Sequence, residues 1–171
     1  TIRVAFVQKV QYSWYNKPDV SKGFFYAQKG GKFRIEYEQP ESMLIVSDGR
    51  EVFVYYPKER SGFIDRIENN KSPTIEALFL LSFRLSEVFE QVGEIKKGDN
   101  TILILKPKVR DDYFHRVYVE LDEQAEIKSI KVEDKEGNTT TIEFLSIRKN
   151  FSPSDELFRI KIPPGAKVNR L

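Results

Sequence analysis

The residue types that usually carry enzyme chemistry are scarce in this sequence. It has no cysteine and a single histidine, His115, which excludes disulfides, thiol nucleophiles, cysteine-ligated metals and multi-histidine metal sites. His115 could act as a general base beside Asp111 and Asp112. No serine nucleophile motif accompanies it, however, so we interpret it as an ordinary surface residue. The sequence therefore predicts no enzyme, no cofactor and no metal site.

Two further candidate sites have simpler explanations. Glu36 and Glu38 are spaced as carboxylates that could serve acid–base chemistry, but Lys32 and Arg34 share their face and indicate a solvated stripe of charge. Gly30-Gly31 could suggest a phosphate loop, yet the known spacings of phosphate-binding glycines are missing around it. A tight hairpin is the better interpretation of the two glycines.

The net charge and the length of the chain argue against further classes of protein. Lysine and arginine number 28 and aspartate and glutamate 26, a formal net charge of +2. Nucleic-acid proteins usually show a concentrated basic excess, so no nucleic-acid partner is predicted. No apolar run reaches the roughly 18 residues of a transmembrane helix, and no signal-peptide pattern opens the chain. The 171 residues suit one domain, rich in aromatic side chains with 13 phenylalanines and 8 tyrosines.

The elements that must position these residues are mostly strands. Apolar and polar residues alternate along much of the chain, which is typical of half-buried strands, and short turns with Gly, Pro, Asn or Asp separate them. This pattern predicts roughly ten sequential antiparallel strands in a curling sheet. The predicted strands cover 2–14, 23–29, 32–38, 43–46, 51–56, 61–67, 101–106, 113–121, 126–133, 139–147 and 158–162.

One segment breaks the alternation and predicts a helix from Ser72 to about Phe89. Ser72 is a good N-cap, and Pro73 follows at the first helical position, where its missing N–H costs nothing. The helix is apolar on more than one side, so it could cover the mouth of the curled sheet as a lid. A core helix without any ligand is the alternative.

Several segments carry residues beyond this general pattern. In order along nearly the whole chain, they resemble motifs of the LolA family of outer-membrane lipoprotein carriers. The segments are F-V-Q-K-V (Phe6–Val10), K-F-R-I-E-Y-E-Q-P (Lys32–Pro40), L-I-V-S-D-G-R (Leu44–Arg50), V-F-V-Y-Y-P (Val52–Pro57), Ser72-Pro73, L-K-P-K (Leu105–Lys108), the Asp134–Phe144 hairpin and the closing Phe158–Val168 segment.

The resemblance implies a mainly β fold with a helical lid, an open and incomplete antiparallel β-barrel that encloses an apolar cavity. It implies one LolA-like domain over 1–171, from which the family's N-terminal helix is absent, and a monomer. The implied function is a periplasmic chaperone that binds the acyl chains of lipoproteins and carries them from the inner to the outer membrane. The signal peptide is then expected to have been removed.

The partners that the resemblance implies are acylated lipoproteins, an inner-membrane ABC transporter like LolCDE and an outer-membrane receptor like LolB. Two alternatives remain open within the same fold. One is a LolB-like receptor, and the other is an RseB-like domain that senses lipoproteins.

The same resemblance directs the choice of site residues. Lys29 stands where well-known members have an arginine that bonds to the lid, so it is the lid-lock candidate, although lysine offers a point charge where arginine offers a rigid fork. For the lid we predict Ile75, Leu78, Phe79 and Leu81. The predicted lipid-cavity residues are Val4, Phe6, Phe33, Ile35, Tyr37, Met43 and Ile45.

Overall fold

A computed structural model describes residues 1–70, 72, 74–75, 78, 85–109, 114–150 and 152–171. Twelve strands, numbered in chain order, form one sheet. They are β1 (Ile2–Gln11), β2 (Asp19–Gln28), β3 (Lys32–Gln39), β4 (Met43–Asp48), β5 (Glu51–Tyr56), β6 (Ser61–Arg66), β7 (Phe89–Lys97), β8 (Asn100–Pro107), β9 (Arg116–Leu121), β10 (Ile127–Glu133), β11 (Thr139–Lys149) and β12 (Lys167–Arg170).

The strand order is β12-β6-β5-β4-β3-β2-β1-β11-β10-β9-β8-β7. Among the described residues the sheet therefore ends in two edge strands, β12 and β7, and is open, which confirms the prediction of a mainly β fold with an open sheet. The neighbouring strands from β2 to β6 and from β7 to β11 pair antiparallel, whereas β12 pairs parallel with β6. An enclosed cavity and a single domain over 1–171 stay predictions.

The chain divides into two compact units. Unit 1 comprises Thr1–Phe6, Ser21–Lys71 and Ser146–Leu171, and unit 2 comprises Val7–Val20 and Ser72–Leu145. In unit 2 the buried core lies on one face of β8 to β11, where directly paired residues share a face. Its members are Leu105, Val117, Val119, Ile130, Val132 and Ile142.

The first strand is shorter than its alternation predicts. β1 ends at Gln11, whereas the predicted strand continued to Trp14. Trp14 and Tyr15 instead lie in a turn, where Trp14 is 77% exposed. Alternation reports side-chain type only, and the hydrogen bond from Tyr15 N to Tyr12 O (3.3 Å) closes a turn at this point.

The predicted strand 158–162 is wrong. Asp155–Phe158 forms a short 3₁₀ helix, and the final strand is β12, which pairs with β6 from Lys167 to Arg170. Ile160 packs against the buried cluster of Phe53, Tyr55 and Ile64 although it belongs to no strand. An apolar residue at this position therefore does not require a strand. Pro163 and Pro164 have no N–H to donate to a strand ladder, so pairing begins only after them.

Strand β7 was missed because a bulge disguises it. The predicted helix ran to Phe89, but the helical stretch α1 (Leu85–Val88) ends one residue earlier and β7 starts at Phe89. A register shift between Gln91 and Gly93 breaks the period of two, so the apolar residues fall three apart as on a helix.

Among the described residues, no helix is both long enough and apolar enough to cross a membrane.

Gly23 is required by a close approach of two strands in unit 1. It lies at a register shift between β2 and β3, and an added Cβ would stand 2.2 Å from the backbone oxygen of Glu36. Gly93 lies at a comparable bulge, but there a Cβ would meet only the end of the Ile104 side chain, at 3.2 Å. A Cβ at Gly23 therefore requires the backbone at Glu36 to move, whereas a Cβ at Gly93 requires only the flexible Ile104 side chain to move.

We therefore expect Gly23→Ala to lower the free energy of unfolding by more than about 1 kcal/mol, because a strained replacement of glycine destabilises a protein by more than an unstrained one stabilises it. Gly93→Ala is the matched control and should change it by less. Urea unfolding of both variants gives the comparison. Equal losses would show that the contact with Glu36 is not the cause.

Candidate functional site

One face of the sheet in unit 1 collects most of the predicted cavity residues. Direct pairing runs from Phe25 to Ile35, from Ile35 to Ile45 and from Ile45 to Val54, so these four side chains form a row across β2 to β5. A second row runs from Ala27 through Phe33 and Ser47 to Val52, and Tyr37 pairs with Met43. We call this surface face A, with members Phe25, Ala27, Phe33, Ile35, Tyr37, Met43, Ile45, Ser47, Val52 and Val54.

Face A is buried almost throughout. Phe25, Phe33 and Ile35 have no exposed area, while Tyr37 and Ile45 keep 9% and Met43 is half-buried. The fully buried hydroxyl of Ser47 donates from Oγ to the Gly31 oxygen at 3.0 Å and accepts from the Gly49 N–H at 3.1 Å. The face is therefore largely apolar, and the Ser47 hydroxyl is satisfied.

Two predicted residues of β1, Val4 and Phe6, are also buried, at 0% and 1% exposure. The rings of Phe6 and Tyr37 meet edge to face with centroids 5.8 Å apart, although β2 lies between their strands. Gly23 pairs with Tyr37 on β2 and has no side chain, which leaves room for the two rings. Phe6 therefore joins face A.

The opposite surface, face B, is also largely apolar, which period two could not reveal. Its central cluster is Phe53, Tyr55 and Ile64, and the C-terminal segment covers it with Ile160, Ala166 and Val168. Buried residues consequently run without alternation along β4 and β5. Other members of face B are Arg34, Glu36, Leu44 and Val46, which pair in register with that cluster or with each other.

The charged residues of β3 behave as predicted. Arg34 and Glu36 form an ion pair, and Arg34 Nη1 also donates to the Leu157 oxygen at 3.4 Å. Lys32 and Glu38 are exposed. This is the solvated stripe of charge that the sequence indicates, with one member bonded to the C-terminal segment.

A groove of about 510 Å³ lies in unit 1, but it differs from the predicted apolar cavity. None of the predicted cavity residues lines it. Charged side chains line much of it, including Lys32, Asp48, Glu51, Arg159 and Arg170. The apolar cavity and its seven lining residues therefore stay predictions, although six of those residues are buried.

The helix that follows Ser72 begins as predicted. Ser72 Oγ accepts the Ile75 N–H at 3.2 Å, which is the N-cap interaction. Thr74, Ile75 and Leu78 are helical and buried, with Leu78 fully so. Phe79 and Leu81, the other two predicted lid residues, lie outside the described residues. The lid role of this helix stays a prediction.

Lys29 lies in the exposed turn between β2 and β3, next to Gly30 and Gly31. The two glycines have φ values of 87° and 74°, a conformation that favours glycine, so the predicted hairpin is confirmed. The role of Lys29 as a lid lock stays a prediction.

Asp111 and Asp112, which were considered with His115 for catalysis, lie outside the described residues. His115 is exposed, and its backbone N–H donates to the Glu133 oxygen at 2.8 Å. Within the described part of the chain, no group of three or more His, Cys, Asp or Glu residues could hold a metal ion.

In unit 2, the neighbours of Glu120 stabilise the ionised form of its carboxylate. Glu120 accepts hydrogen bonds from Asn100 Nδ2 (2.9 Å), Lys97 Nζ (3.3 Å) and Ser129 Oγ (3.3 Å). The Asn100 hydrogen bond is the main cause that lowers the pKa of Glu120 below its ordinary value of 4.5, and Lys97 lowers it further. Sequence inspection missed this group because its partners come from separate strands and turns.

We expect Glu120→Gln to lower the free energy of unfolding at pH 7 by about 1.5 kcal/mol, the low end for a hydrogen bond to a charged group. Because the folded pKa is lowered, this stabilisation is fully present above pH 4.5 and is lost as the pH falls through the folded pKa. The wild type and the variant should therefore converge in acid, as urea unfolding at several pH values would measure. Glu94→Gln, which removes an exposed ion pair with Lys96, is the control and should have little effect.

Relatives with similar sequences match this chain over most of its length. An outer-membrane lipoprotein carrier protein of Nitrosospira multiformis is 24% identical over 168 residues, covering 98% of this chain and 81% of the relative. The protein of the same name in Legionella pneumophila (strain Corby) is 29% identical over 150 residues, 86% of this chain and 73% of the relative.

Solved structures support the fold alone, because their sequence identities are low. An uncharacterized conserved protein from Thermus thermophilus matches with a TM-score of 0.61 and 16% identity, covering 100% of this chain and 91% of that one. A LolA superfamily protein from Nitrosomonas europaea matches with a TM-score of 0.50 and 10% identity, with coverage of 92% and 90%.

The family itself follows from a direct match. The family model described as "Outer membrane lipoprotein carrier protein LolA" matches residues 1–161, nearly the whole chain. That range includes face A, the N-cap at Ser72 and the hairpin at Gly30-Gly31. The chain therefore belongs to the LolA family of outer membrane lipoprotein carrier proteins.

Proposed function

We propose that this chain, a lipoprotein carrier by family, binds the acyl chains of its cargo on face A and carries them through the periplasm to the outer membrane. The observation that carries the proposal is the continuous apolar surface from Phe25 to Val54, built from directly paired residues. Binding of this kind involves no covalent chemistry.

The physical requirement for such a carrier is an apolar surface matched to acyl chains. Each CH₂ group left in water costs about 0.8 kcal/mol, so an acyl chain travels between membranes only if most of it is covered. Face A offers phenylalanine, isoleucine and valine, and its Ser47 hydroxyl is already bonded to backbone. Large aromatic side chains add area at a low entropic cost.

Further proposals concern the helix and the turn. We propose that Ile75, Leu78, Phe79 and Leu81 shield the bound acyl chains as a lid, and that Lys29 contributes to locking it. The buried positions of Ile75 and Leu78 support this assignment. Removal of the Lys29 charge by Lys29→Met should then speed the release of bound cargo, as measured by its transfer to acceptor vesicles.

The proposed transport from the inner to the outer membrane requires a partner protein in each membrane. We propose that the chain receives lipoproteins from a LolCDE-like ABC transporter in the inner membrane and delivers them to a LolB-like receptor in the outer membrane. A signal peptide, removed on export, would place the protein in the periplasm between the two.

The experiment that tests carriage is incubation of the purified chain with inner-membrane vesicles and ATP. A carrier should bring lipoproteins into the soluble fraction as a complex with the chain, and an equal amount of an unrelated periplasmic protein should not. If no lipoprotein is released, the chain is a receptor or a sensor of the same fold. Transfer of lipoproteins from a carrier to this chain would then identify the receptor.

A further inference from the structure

The turn after β1 presents three adjacent aromatic side chains, Tyr12, Trp14 and Tyr15, which we call the aromatic turn. The ring centroids of Tyr12 and Trp14 lie 5.4 Å apart, and those of Trp14 and Tyr15 lie 5.8 Å apart. Trp14 is 77% exposed and Tyr15 is 50% exposed. Aromatic rings that stay exposed to water contribute little to the stability of the fold. A group of exposed rings therefore indicates a role in binding.

Hydrogen bonds hold the aromatic turn in one shape. The Gln11 side chain donates from Nε2 to the Tyr12 oxygen at 3.1 Å and also to the Tyr15 oxygen. The Ser13 N–H donates to Asn138 Oδ1 at 3.0 Å, which ties the turn to the β10–β11 hairpin of the same unit. The rings are therefore preorganised, and a binding partner would not have to pay for ordering them.

The chemistry of the aromatic turn matches the headgroup region of a lipid bilayer. Tryptophan and tyrosine have amphipathic rings that concentrate at membrane–water interfaces. Pro18 and Val20, which follow the aromatic turn in the chain, are also exposed apolar residues, and Val20 is 43% exposed. The charges of Lys17 and Asp19 cancel each other, so the local charge does not oppose contact with a zwitterionic lipid.

A bilayer suits this surface better than a folded protein partner. A stable protein–protein interface usually takes about 800 Å² from each partner, whereas the aromatic turn is a single short turn. A lipid surface accepts individual aromatic side chains and imposes no matching shape. We propose that the aromatic turn inserts into the headgroup region of a phospholipid bilayer and gives the protein a transient membrane contact.

The sequence supplies its own probe for this contact, because Trp14 is the only tryptophan. The full chain without cargo would be mixed with phosphatidylethanolamine–phosphatidylcholine vesicles while its intrinsic fluorescence is recorded. The emission maximum should move to shorter wavelength, and lipids brominated near the headgroup should quench it. An emission spectrum that vesicles leave unchanged would overturn the proposal.

Vesicle co-sedimentation of variants gives a second measurement. Trp14→Ser should reduce the bound fraction roughly tenfold, since it removes the main interfacial side chain. Leu145→Ser is the matched control, because Leu145 is 66% exposed in the same unit, and it should bind like the wild type. Equal binding of both variants and the wild type would contradict insertion through this turn.

A protein partner is distinguished in the same assay. If Trp14 emission shifts with native membranes but not with pure lipid vesicles, the aromatic turn recognises a membrane protein and the bilayer proposal is wrong. The test contains no lipoprotein, so its failure would leave the carriage of lipoproteins by face A untouched.

Discussion

Met43→Glu is expected to weaken the binding of a fluorescent apolar probe by about tenfold or more. The reason is that the bound probe would bury an unpaired carboxylate in an apolar environment. Met43 pairs with Tyr37 at the end of face A and is half-buried. A charge there changes the proposed binding surface without entering the fully buried rows. Probe titration and the recovery of lipoprotein complexes are the two measurements.

The neighbouring residue provides a matched control. Leu44 is also half-buried, but it lies on face B and packs against the cluster of Phe53, Tyr55 and Ile64. Leu44→Glu should cost comparable stability and still bind the probe with nearly wild-type affinity. If Met43→Glu and Leu44→Glu reduce binding equally, face A is not the acyl-binding surface.

Phe53→Ala is expected to lower the free energy of unfolding by about 3–5 kcal/mol, the range for deleting a buried phenylalanine side chain. Phe53 is 1% exposed, and its ring stacks on Tyr55 with centroids 5.7 Å apart. Because the C-terminal segment covers this cluster, Val168→Ala in β12 should also destabilise the protein, by about 1 kcal/mol for its two half-buried methyl groups. Urea unfolding measures both losses.

The control for the second prediction lies in the same segment. Ile162 is 50% exposed, so Ile162→Ala should change the free energy of unfolding by less than about 0.5 kcal/mol. Probe binding should be unaffected in Val168→Ala, since the Val168 side chain packs against the face B cluster. An unchanged stability of Val168→Ala would mean that the C-terminal strand is not part of the core of unit 1.

Strands with one strongly polar face were predicted well. In β3, charged residues alternate with Phe33, Ile35 and Tyr37, and the structure has a strand there with the apolar set buried. The helix start at Ser72 was equally accessible, because an N-cap is a local interaction between a side chain and a nearby N–H. Local rules of this kind need no knowledge of the rest of the chain.

Edge strands were predicted poorly. β7 carries a bulge, and β12 has four residues of which only Val168 is half-buried. An edge strand packs few of its side chains, so burial imposes little alternation on its sequence. Its existence depends on a partner strand, such as β6 for β12, that lies far away in the chain.

The sequence by itself determined the mainly β class, most strands, the helix start and the family, because alternation, capping and ordered motifs are properties of the chain. Only the tertiary structure decided which surfaces those strands bury. It covered face B with the C-terminal segment, joined Phe6 to Tyr37 across Gly23, and left Trp14 in water despite its place in the alternation. The physical reason is that period two assigns a residue to one of two faces, whereas burial depends on what packs against each face.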